Sequence, residues 1–331
     1  MNEVIQLVHG DGGKHTEELI QNLFYKYFNN SLLLEGQDAT VFPFEGKMAF
    51  TTDSFVVKPL FFKGGNIGKL AVCGTINDLA VSGAKPLYLS ASFIIEEGFS
   101  LKSLEEIVKS MGETCLEAGV KIITGDTKVV EKGGVDGIFI NTSGIGKLLD
   151  GYNMKNIEHG DKIIVTGCIG DHGTTIALER YDIKVNGNFK SDCANIYPFI
   201  EKLNKYYKSI KIMRDPTRGG LATVLHEFSK LCGLGIHLKE EQIPIDEGVR
   251  VVNQLLGFEP LYMACEGRLV LVVKDSEAEK ILEIIKSMKD GKEARIIGEF
   301  ITESHTIIIE NYFGGMRILS QLEGNMLPRI C

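Results

Sequence analysis

The residue best suited to nucleophilic chemistry is Cys331, whose thiol lies at the end of the sequence. Pro328 fixes its own backbone and removes one amide donor, so we expect Ile330 and Cys331 to extend as an arm. Because an extended chain gains roughly 3.3–3.6 Å per residue, an arm from Gly314 would span on the order of 55–60 Å. The pattern predicts an exposed nucleophile or carrier thiol; a frayed tail that ends in cysteine is the alternative.

Three aspartates, Asp53, Asp78 and Asp126, lie near glycines at the ends of predicted elements or within them. Asp53 and Asp126 each follow a predicted strand, and Asp78 lies in a helix predicted over 69–82. Separated carboxylates of this kind suit Mg²⁺ with a polyphosphate, because Mg²⁺ takes a few carboxylates plus substrate oxygens. A surface or capping role is the alternative for Asp53 or Asp78 taken singly. Neither the P-loop motif nor the Rossmann fingerprint occurs in the sequence.

Glu266 and two glycine-rich turns are the remaining candidates for a functional site. Glu266 lies among apolar residues just before a strand predicted over 269–273, so its carboxyl is either paired or has a raised pKa. Backbone amides could hold phosphate at His9–Lys14 and at Gly167–Thr175, each of which precedes a helical pattern. A plain loop is the alternative for the first turn.

The elements that position these residues alternate between strands and helices, which predicts an α+β chain. A length of 331 residues exceeds one comfortable core and favours two domains. The predicted organisation is a glycine-rich loop and helix (1–39), an α+β domain (40–150), a second α+β domain (160–312) and a mobile tail (313–331).

Strands are predicted from apolar, β-leaning runs, and helices from periodic apolar positions. The helix that ends near Leu231 opens at Met213–Leu221, with Thr217 or Asp215 as its cap. The predicted strands are 48–52, 86–95, 120–124, 138–146, 162–166, 236–238, 269–273, 295–300 and 306–309. The other predicted helices are 69–82, 101–118, 193–206, 246–256 and 275–288.

Composition excludes several classes of protein. A formal charge of −8 and the lack of a basic stripe argue against nucleic-acid binding. Seven cysteines without a Cys-x-x-Cys pair indicate neither a disulfide framework nor a zinc cluster, and they favour reducing cytosol. The sequence has no apolar run long enough to span a membrane and no signal-peptide pattern at its start. We therefore expect a cytoplasmic protein.

Five segments carry a resemblance to a known family. They are Thr52–Val57, Ile67–Asp78, Thr124–Val130, Arg214–Gly220 and Pro328–Cys331. Together they resemble the HypE family of hydrogenase-maturation carbamoyl dehydratases, over nearly the whole chain. The resemblance implies the two-domain ATP-binding fold shared with aminoimidazole ribonucleotide synthetase and selenophosphate synthetase, and a homodimer formed through the sheets of the first domains.

The reaction that the resemblance implies begins with a carbamoyl group placed on Cys331 by a partner carbamoyltransferase. ATP then phosphorylates the carbamoyl oxygen, and loss of phosphate and a proton leaves a thiocyanate on the sulfur. The cyano group passes to an iron-carrying hydrogenase-maturation scaffold complex and becomes a cyanide ligand of the nickel-iron site.

The resemblance also implies roles for particular residues. Cys331 carries the substrate, Glu266 is the base, and Lys128 is its electrostatic or proton-relay partner; a buried ion pair is the alternative for Lys128 and Glu266. Asp53, Asp78 and Asp126 would hold Mg²⁺. The residues that would contact ATP are Asp53, Lys69, Asn77, Asp78, Asp126, Thr127, Asp215, Thr217 and Gly219.

One departure from the family pattern is Asp11, which stands between glycines of the first loop where the family has a small residue. Two other functions remain open from the residues themselves. One is an ATP-dependent synthetase that acts on a free small molecule, of the selenophosphate or aminoimidazole ribonucleotide type. The other is a non-catalytic carrier whose thiol moves a group between partners.

Overall fold

The computed structural model describes residues 4–35, 39–302, 305–324, 327 and 329–331. Its strands, in chain order, are β1 (Met48–Phe55), β2 (Phe61–Phe62), β3 (Gly65–Asn66), β4 (Ala84–Glu96), β5 (Lys121–Val130), β6 (Ile138–Leu148), β7 (Lys162–Val165), β8 (Ile210–Arg214), β9 (Gly235–Lys239), β10 (Val270–Val273), β11 (Arg295–Ile301), β12 (Ile307–Glu310) and β13 (Met316–Ile318).

The α-helices alternate with these strands, as the sequence pattern predicts. They are α1 (Lys14–Leu19), α2 (Tyr25–Tyr27), α3 (Ser31–Leu34), α4 (Ile67–Val81), α5 (Leu101–Ala118), α6 (Asp171–Arg180), α7 (Tyr197–Lys202), α8 (Gly220–Cys232), α9 (Glu247–Leu256) and α10 (Asp275–Lys286). A π-helical segment, Ile20–Phe24, joins α1 to α2. Within the described ranges, no helix has both the length and the apolar character needed to cross a bilayer.

The first sheet has the strand order β1-β6-β4-β5, with only the β4–β5 pair parallel. Helix α4 covers one face of it, packing against β1, β4 and β6. Side chains alternate across the sheet, so Phe50 of β1 and Ile94 of β4 point away from α4 and are 67% and 41% exposed. We call this second surface the open sheet face.

Helix α4 is buried almost throughout, because it packs against the first sheet and α5 and also reaches α7 and β8 of the second domain. Asn66 starts the helix by accepting hydrogen bonds from the amides of Gly68 and Lys69 at 2.9 and 3.0 Å. Gly68 has no room for a side chain, since an added Cβ would overlap the carbonyl oxygen of Ile107. The sequence of α4 therefore suits a helix enclosed on most sides.

The second sheet has the order β13-β12-β9-β11-β7-β10-β8 and is antiparallel except for the β12–β9 pair. It forms a central layer, with α8 on one face and α7 and α10 on the other. Val270 and Val272 of β10 share a core with α8, whereas Leu271 and Val273 pack with α7 and α10. Because β10 is buried on both faces, its residues are apolar without alternation, as the sequence shows.

Some predicted elements differ from the structure. Strands β2, β3, β8 and β13 were not predicted, and the helix predicted over 193–206 is limited to α7 and a 3₁₀ turn at Asn204–Tyr206. The predicted cap of α8 is wrong: the capping residue is Gly219, with φ of +75°, and neither Asp215 nor Thr217 caps the helix. Glycine suits this position because the chain enters the helix through a left-handed conformation.

The end of the tail also differs from the prediction. Leu327 and Ile330 are buried in a core that the first domain shares with α6, and Cys331 is half-buried, so the prediction of an extended arm with an exposed thiol is wrong for this conformation. Pro328, to which the stiffness of the arm was assigned, lies outside the described residues. Movement of the tail stays a prediction. The docked conformation would be one of the positions between which the tail moves.

The close packing of α4 predicts that Gly68→Ala destabilises the protein. The added methyl must displace the Ile107 carbonyl, and overpacking of this kind costs about 1–3 kcal/mol. This exceeds the gain of roughly 1 kcal/mol in helix propensity from glycine to alanine. The urea midpoint of unfolding measures the effect. Gly13→Ala is the matched control, since no atom lies within 4 Å of an added Cβ there; equal midpoints for the two variants would contradict the packing described.

Candidate active site

Acidic side chains from both domains meet on the covered side of the first sheet. Burial and then the neighbouring Asp78 carboxylate raise the pKa of Asp53 to about 6. Burial raises the pKa of Asp78 as well, although Thr51 Oγ1 donates a hydrogen bond to Asp78 Oδ2 at 2.8 Å. Burial and then Asp78 raise the pKa of Asp215 to about 7. These carboxylates repel one another, and we call Asp53, Asp78, Asp215 and Glu266 the carboxylate cluster.

Glu266 is the most enclosed member of the cluster, with 1% of its surface exposed. Its Oε1 atom is buried and has no hydrogen-bond partner among the described residues. Burial, followed by the charges of Asp215 and Asp192, raises the pKa of the Glu266 carboxyl well above its ordinary value. A buried carboxyl with a free oxygen and a raised pKa is suited to proton transfer.

The backbone around Glu266 is held by a buried ion pair. The carboxylate of Asp192 accepts hydrogen bonds from the amides of Glu266 and Gly267 at 3.1 and 3.3 Å. Arg268 Nε lies 3.5 Å from Asp192 Oδ2 and neutralises this carboxylate. The loop that carries Glu266 is therefore fixed by Asp192, a residue that no local sequence signal identified.

Asn77 of α4 holds the same loop from the other domain. Its Nδ2 donates to the carbonyl oxygens of Ala194 and Glu266 at 3.0 and 3.2 Å, and its Oδ1 accepts from the amide of Ile196 at 3.0 Å. The side chain is fully buried. Contrary to the predicted ATP contact, the structure uses the whole amide of Asn77 to join α4 to the second domain.

The tail reaches the site by pairing with the segment that follows β1. The amide of Val56 donates to the carbonyl of Cys331 at 3.1 Å, and the amide of Lys58 donates to the carbonyl of Arg329 at 3.2 Å. Arg329 Nε donates back to the carbonyl of Val56 at 2.8 Å. Arg329 adopts a left-handed backbone with φ of +52°, which turns the last residues inward.

Cys331 then lies beside the carboxylate cluster. Burial and then the Glu266 carboxyl raise the pKa of its thiol, Arg218 opposes them, and the resulting pKa is about 12. A cavity of about 170 Å³ adjoins the thiol and is lined by Cys331, Arg218, Gly219 and Met263 among others. This space suits a small group on the sulfur. The sequence motif around Arg218 was recognised, but this residue was not singled out.

The turn before α8 forms one wall of the site. The amide of Cys265 donates to the carbonyl of Pro216 at 2.9 Å, so this turn packs on the loop of Glu266. The amide of Thr217 donates to the carbonyl of Asp215 at 3.0 Å within the same turn. Free amides at the start of a helix favour anions. Lys69, at the first turn of α4, donates from Nζ to the carbonyl of Gly64 at 3.0 Å.

Asp126 and Lys128 lie elsewhere in the chain, so their predicted roles beside Glu266 and in the metal site stay predictions that a single chain does not satisfy. Lys128 Nζ lies 2.7 Å from Asp126 Oδ1, and both side chains are more than half exposed. Their partners in β4 are Ser92 and Ile94, which place them on the open sheet face, whereas Asp53 points to the covered face. Within one chain, therefore, Lys128 does not pair with Glu266, and Asp126 does not join Asp53 and Asp78.

A second cavity, of about 290 Å³, lies at the β5 edge of the first sheet. The glycine-rich loop contributes Gly10 and Gly12 to its lining, and β5 contributes Asp126, Thr127 and Lys128. The residues predicted to form one nucleotide site thus occupy two places. One is the carboxylate cluster with Cys331, and the other is this cavity.

Among the described residues, no three histidine, cysteine or acidic side chains already form a complete metal-binding group. Asp53, Asp78 and Asp215 nevertheless fit a divalent cation, because burial raises the pKa of all three carboxyls, Asp78 raises those of Asp53 and Asp215 further, and a cation would favour the ionised forms. Mg²⁺ commonly takes one or two carboxylates and completes its shell with water and phosphate oxygens. In this arrangement Asp215 replaces the predicted Asp126.

Comparisons with known proteins agree with this fold. Residues 36–148 match the model of the AIR synthase related protein N-terminal domain, and residues 158–310 match that of its C-terminal domain. The predicted α+β, two-domain fold class is thereby confirmed.

Relatives define the family more narrowly. The carbamoyl dehydratase HypE of Bradyrhizobium diazoefficiens is 45% identical over 335 residues, covering 100% of this chain and 97% of its own length. A crystal structure of hydrogenase maturation protein HypE in complex with ATP is 41% identical with a TM-score of 0.94, covering 98% of this chain and 99% of that one. A HypE–HypF complex contains a chain 49% identical with a TM-score of 0.82, covering 92% and 99%. This chain belongs to the HypE family of carbamoyl dehydratases, which confirms the resemblance found in the sequence.

The crowding of carboxylates predicts that Asp53→Asn stabilises the ligand-free protein above pH 7. The folded-state pKa of Asp53 is about 6, above its unfolded value, so unfolding releases a proton and wild-type stability falls as pH rises from about 4 to about 6. The asparagine variant lacks this loss. Melting temperatures at pH 5 and pH 8 measure it, with Asp150→Asn, an exposed aspartate, as the control. Added Mg²⁺ should raise the wild-type melting temperature at pH 8 more than that of Asp53→Asn; equal responses would contradict a cation site at Asp53.

Proposed function

We propose that this enzyme dehydrates an S-carbamoyl group on its own Cys331 to S-cyanate in an ATP-dependent reaction, and so supplies the cyanide ligands of a nickel-iron hydrogenase. The observation that carries this proposal is the position of Cys331, whose thiol lies beside Glu266 and a small cavity. For the enzyme to dehydrate a group on its own Cys331, this residue must lie at the site of proton transfer, as it does in this conformation. Membership of the carbamoyl dehydratases supports the reaction.

ATP and Mg²⁺ fit the residues around this thiol. ATP supplies the phosphoryl group that converts the carbamoyl oxygen into a leaving group, and Mg²⁺ supplies positive charge for the phosphates. Asp53, Asp78 and Asp215 would hold the cation, and the free amides that begin α8 would face phosphate oxygens. The complex of a 41% identical HypE with ATP supports the nucleotide.

The carbamoyl nitrogen loses both of its protons, one as the carbamoyl oxygen is phosphorylated and one as phosphate leaves, and Glu266 would take the second as the triple bond forms. In the ligand-free protein its raised pKa favours the protonated form, which cannot accept a proton. Positive charge brought into the site lowers the pKa of a nearby carboxyl. Glu266 therefore becomes a base once cations surround it, which ties proton transfer to a fully loaded site.

The tail would need two positions. In the docked position, burial keeps the thiol of Cys331 protonated, with a pKa of about 12, and a protonated thiol is a poor nucleophile. Carbamoylation by the partner enzyme would therefore take place on the undocked tail, and dehydration on the docked one. The HypE–HypF complex supports such a partner, and we further propose an iron-carrying maturation scaffold as the acceptor of the cyano group. The seven free cysteines suit the cytoplasm as its location.

A second copy of the chain would complete the site. Asp126 and Lys128 lie on the open sheet face, so only another molecule packed against that face can bring them to the cluster around Glu266. The same face exposes Phe50 and Ile94, which gives it an apolar surface to bury. We infer a homodimer through the first sheets, in which Lys128 acts across the interface.

The central experiment is intact-mass analysis of carbamoylated protein with saturating Mg-ATP. Wild-type protein should lose the mass of one water, whereas Glu266→Gln should retain the carbamoyl group, because the amide cannot take the proton. A general base typically contributes ~10²–10⁴-fold, so the rate should fall by that factor. Glu259→Gln, an exchange at a half-buried glutamate outside the cluster, is the matched control.

Two outcomes would count against this mechanism. Conversion of Glu266→Gln at the wild-type rate would remove Glu266 from the reaction. Stoichiometric carbamoylation of Cys331→Ala would assign the carrier role to another thiol.

The interface predicts complementation between two inactive variants. Lys128→Ala and Glu266→Gln should each be slow alone, but a mixed dimer contains one site with both native residues. With random exchange of subunits at equal amounts, half of the dimers are mixed and one of their two sites is intact, so roughly a quarter of wild-type activity should return. Activity that stays at the level of the separate variants after verified exchange would place Lys128 and Glu266 in the same chain or remove Lys128 from the reaction.

A further inference from the structure

His172, in the first turn of α6, lies under the docked tail and has no place in the chemistry described so far. Its side chain is fully buried. Nδ1 lies 2.8 Å from Ser191 Oγ, and Nε2 lies 2.8 Å from the carbonyl oxygen of Ile330. The imidazole therefore joins a loop of the second domain to the residue that precedes Cys331.

The neighbours of His172 determine which nitrogen carries the proton. The carbonyl of Ile330 can only accept, so Nε2 must donate to it. Ser191 Oγ already accepts from the amide of Cys193 at 3.0 Å and can donate its own hydrogen to Nδ1. Burial lowers the pKa of His172, which favours this neutral form. This one tautomer of His172 satisfies every polar atom in the series of hydrogen bonds that begins at the Cys193 amide and ends at the Ile330 carbonyl.

The surroundings of the ring leave room for the tail and little else. Phe62 of β2 packs edge-on against the imidazole, with ring centroids 5.4 Å apart. The next residue is Gly173, where an added Cβ would come within 3.2 Å of Ile330 Cδ1. The side chain of Ile330 thus sits over a glycine while its carbonyl is bound by the adjacent histidine.

We propose that His172 is a positioning residue, whose Nε2–H binds the Ile330 carbonyl and sets Cys331 beside Glu266 for dehydration. This inference rests on the proposed role of Cys331. The tail also pairs with the backbone of Val56 and Lys58. Among its described side-chain contacts, the bond at His172 is buried, whereas Arg329 pairs with Asp136 at 2.6 Å with both side chains partly in solvent. Exposed pairs of this kind contribute little, so the buried contact at His172 carries more of the docking.

The test is the rate at which iodoacetamide alkylates Cys331, followed by mass analysis of the C-terminal peptide in ligand-free protein. His172→Leu removes the donor and should raise the rate roughly tenfold, the equivalent of about 1.4 kcal/mol in docking. His172→Gln, whose amide reaches the position of Nε2, should restore most of the protection. His226→Leu on α8 is the control, because it removes an imidazole whose Nε2 is buried without a partner in the described part of the chain.

Melting temperature separates docking from folding. If His172→Leu does not fold, Ser191→Ala gives the same test with the ring in place, and it should raise alkylation above the His226→Leu value. Alkylation equal to that control in either folded variant, or no recovery in His172→Gln, would overturn the proposal. In single-turnover dehydration of preloaded protein, His172→Leu should be slowed and His172→Gln should recover. Alkylation needs neither ATP nor a carbamoyl group, so failure of the proposed reaction would leave the first result intact.

Discussion

The position of Glu266 depends on a side chain in the other domain. Asn77 binds the carbonyl of Glu266 and two further backbone groups, and its bonds to Glu266 and Ile196 are buried. A buried hydrogen bond contributes about 1 kcal/mol net, but an unsatisfied buried group costs about 1–3 kcal/mol. The two domains can therefore separate only by leaving several such groups unpaired, and this holds the proton-transfer residue against the first sheet.

In the proposed mechanism, electrostatics would keep this site inactive until cations and nucleotide bind. Asp53, Asp215 and Glu266 all have raised pKa values, because burial and their neighbours disfavour negative charge. Burial, followed by the charges of Glu266 and Asp53, raises the pKa of Cys331 when the tail is docked. Cations change both conditions together, since they favour ionised carboxylates and attract phosphate. The electrostatic potential of these carboxylates and cations would thus link nucleotide binding, proton transfer and the reactivity of the Cys331 thiol.

Much of the fold could be predicted because the spacing of apolar residues in the sequence matches the faces that are buried in the structure. Helix α5 was predicted with its observed bounds, since its apolar positions repeat at helical spacing over a buried face. The site was predicted less completely. The identities of Asp53, Asp78 and Glu266 were read from local context and from the family resemblance, but Asp192 and His172 gain their roles from contacts with residues distant in sequence. Sequence could not show that Asp126 and Lys128 face away from Asp53, because this depends on strand register and on which face a helix covers.

Helix α4 belongs to the first sheet by sequence, yet it also packs against α7 and β8 of the second domain. Its removal would expose apolar surface on both sides at once. The unit of cooperative unfolding is then larger than either sheet, and a fragment that ends between β6 and β7 would lack half of the surroundings of this helix. Denaturation should pass from native to unfolded chain without a half-folded species, so a substitution in one domain lowers the thermodynamic stability of the other.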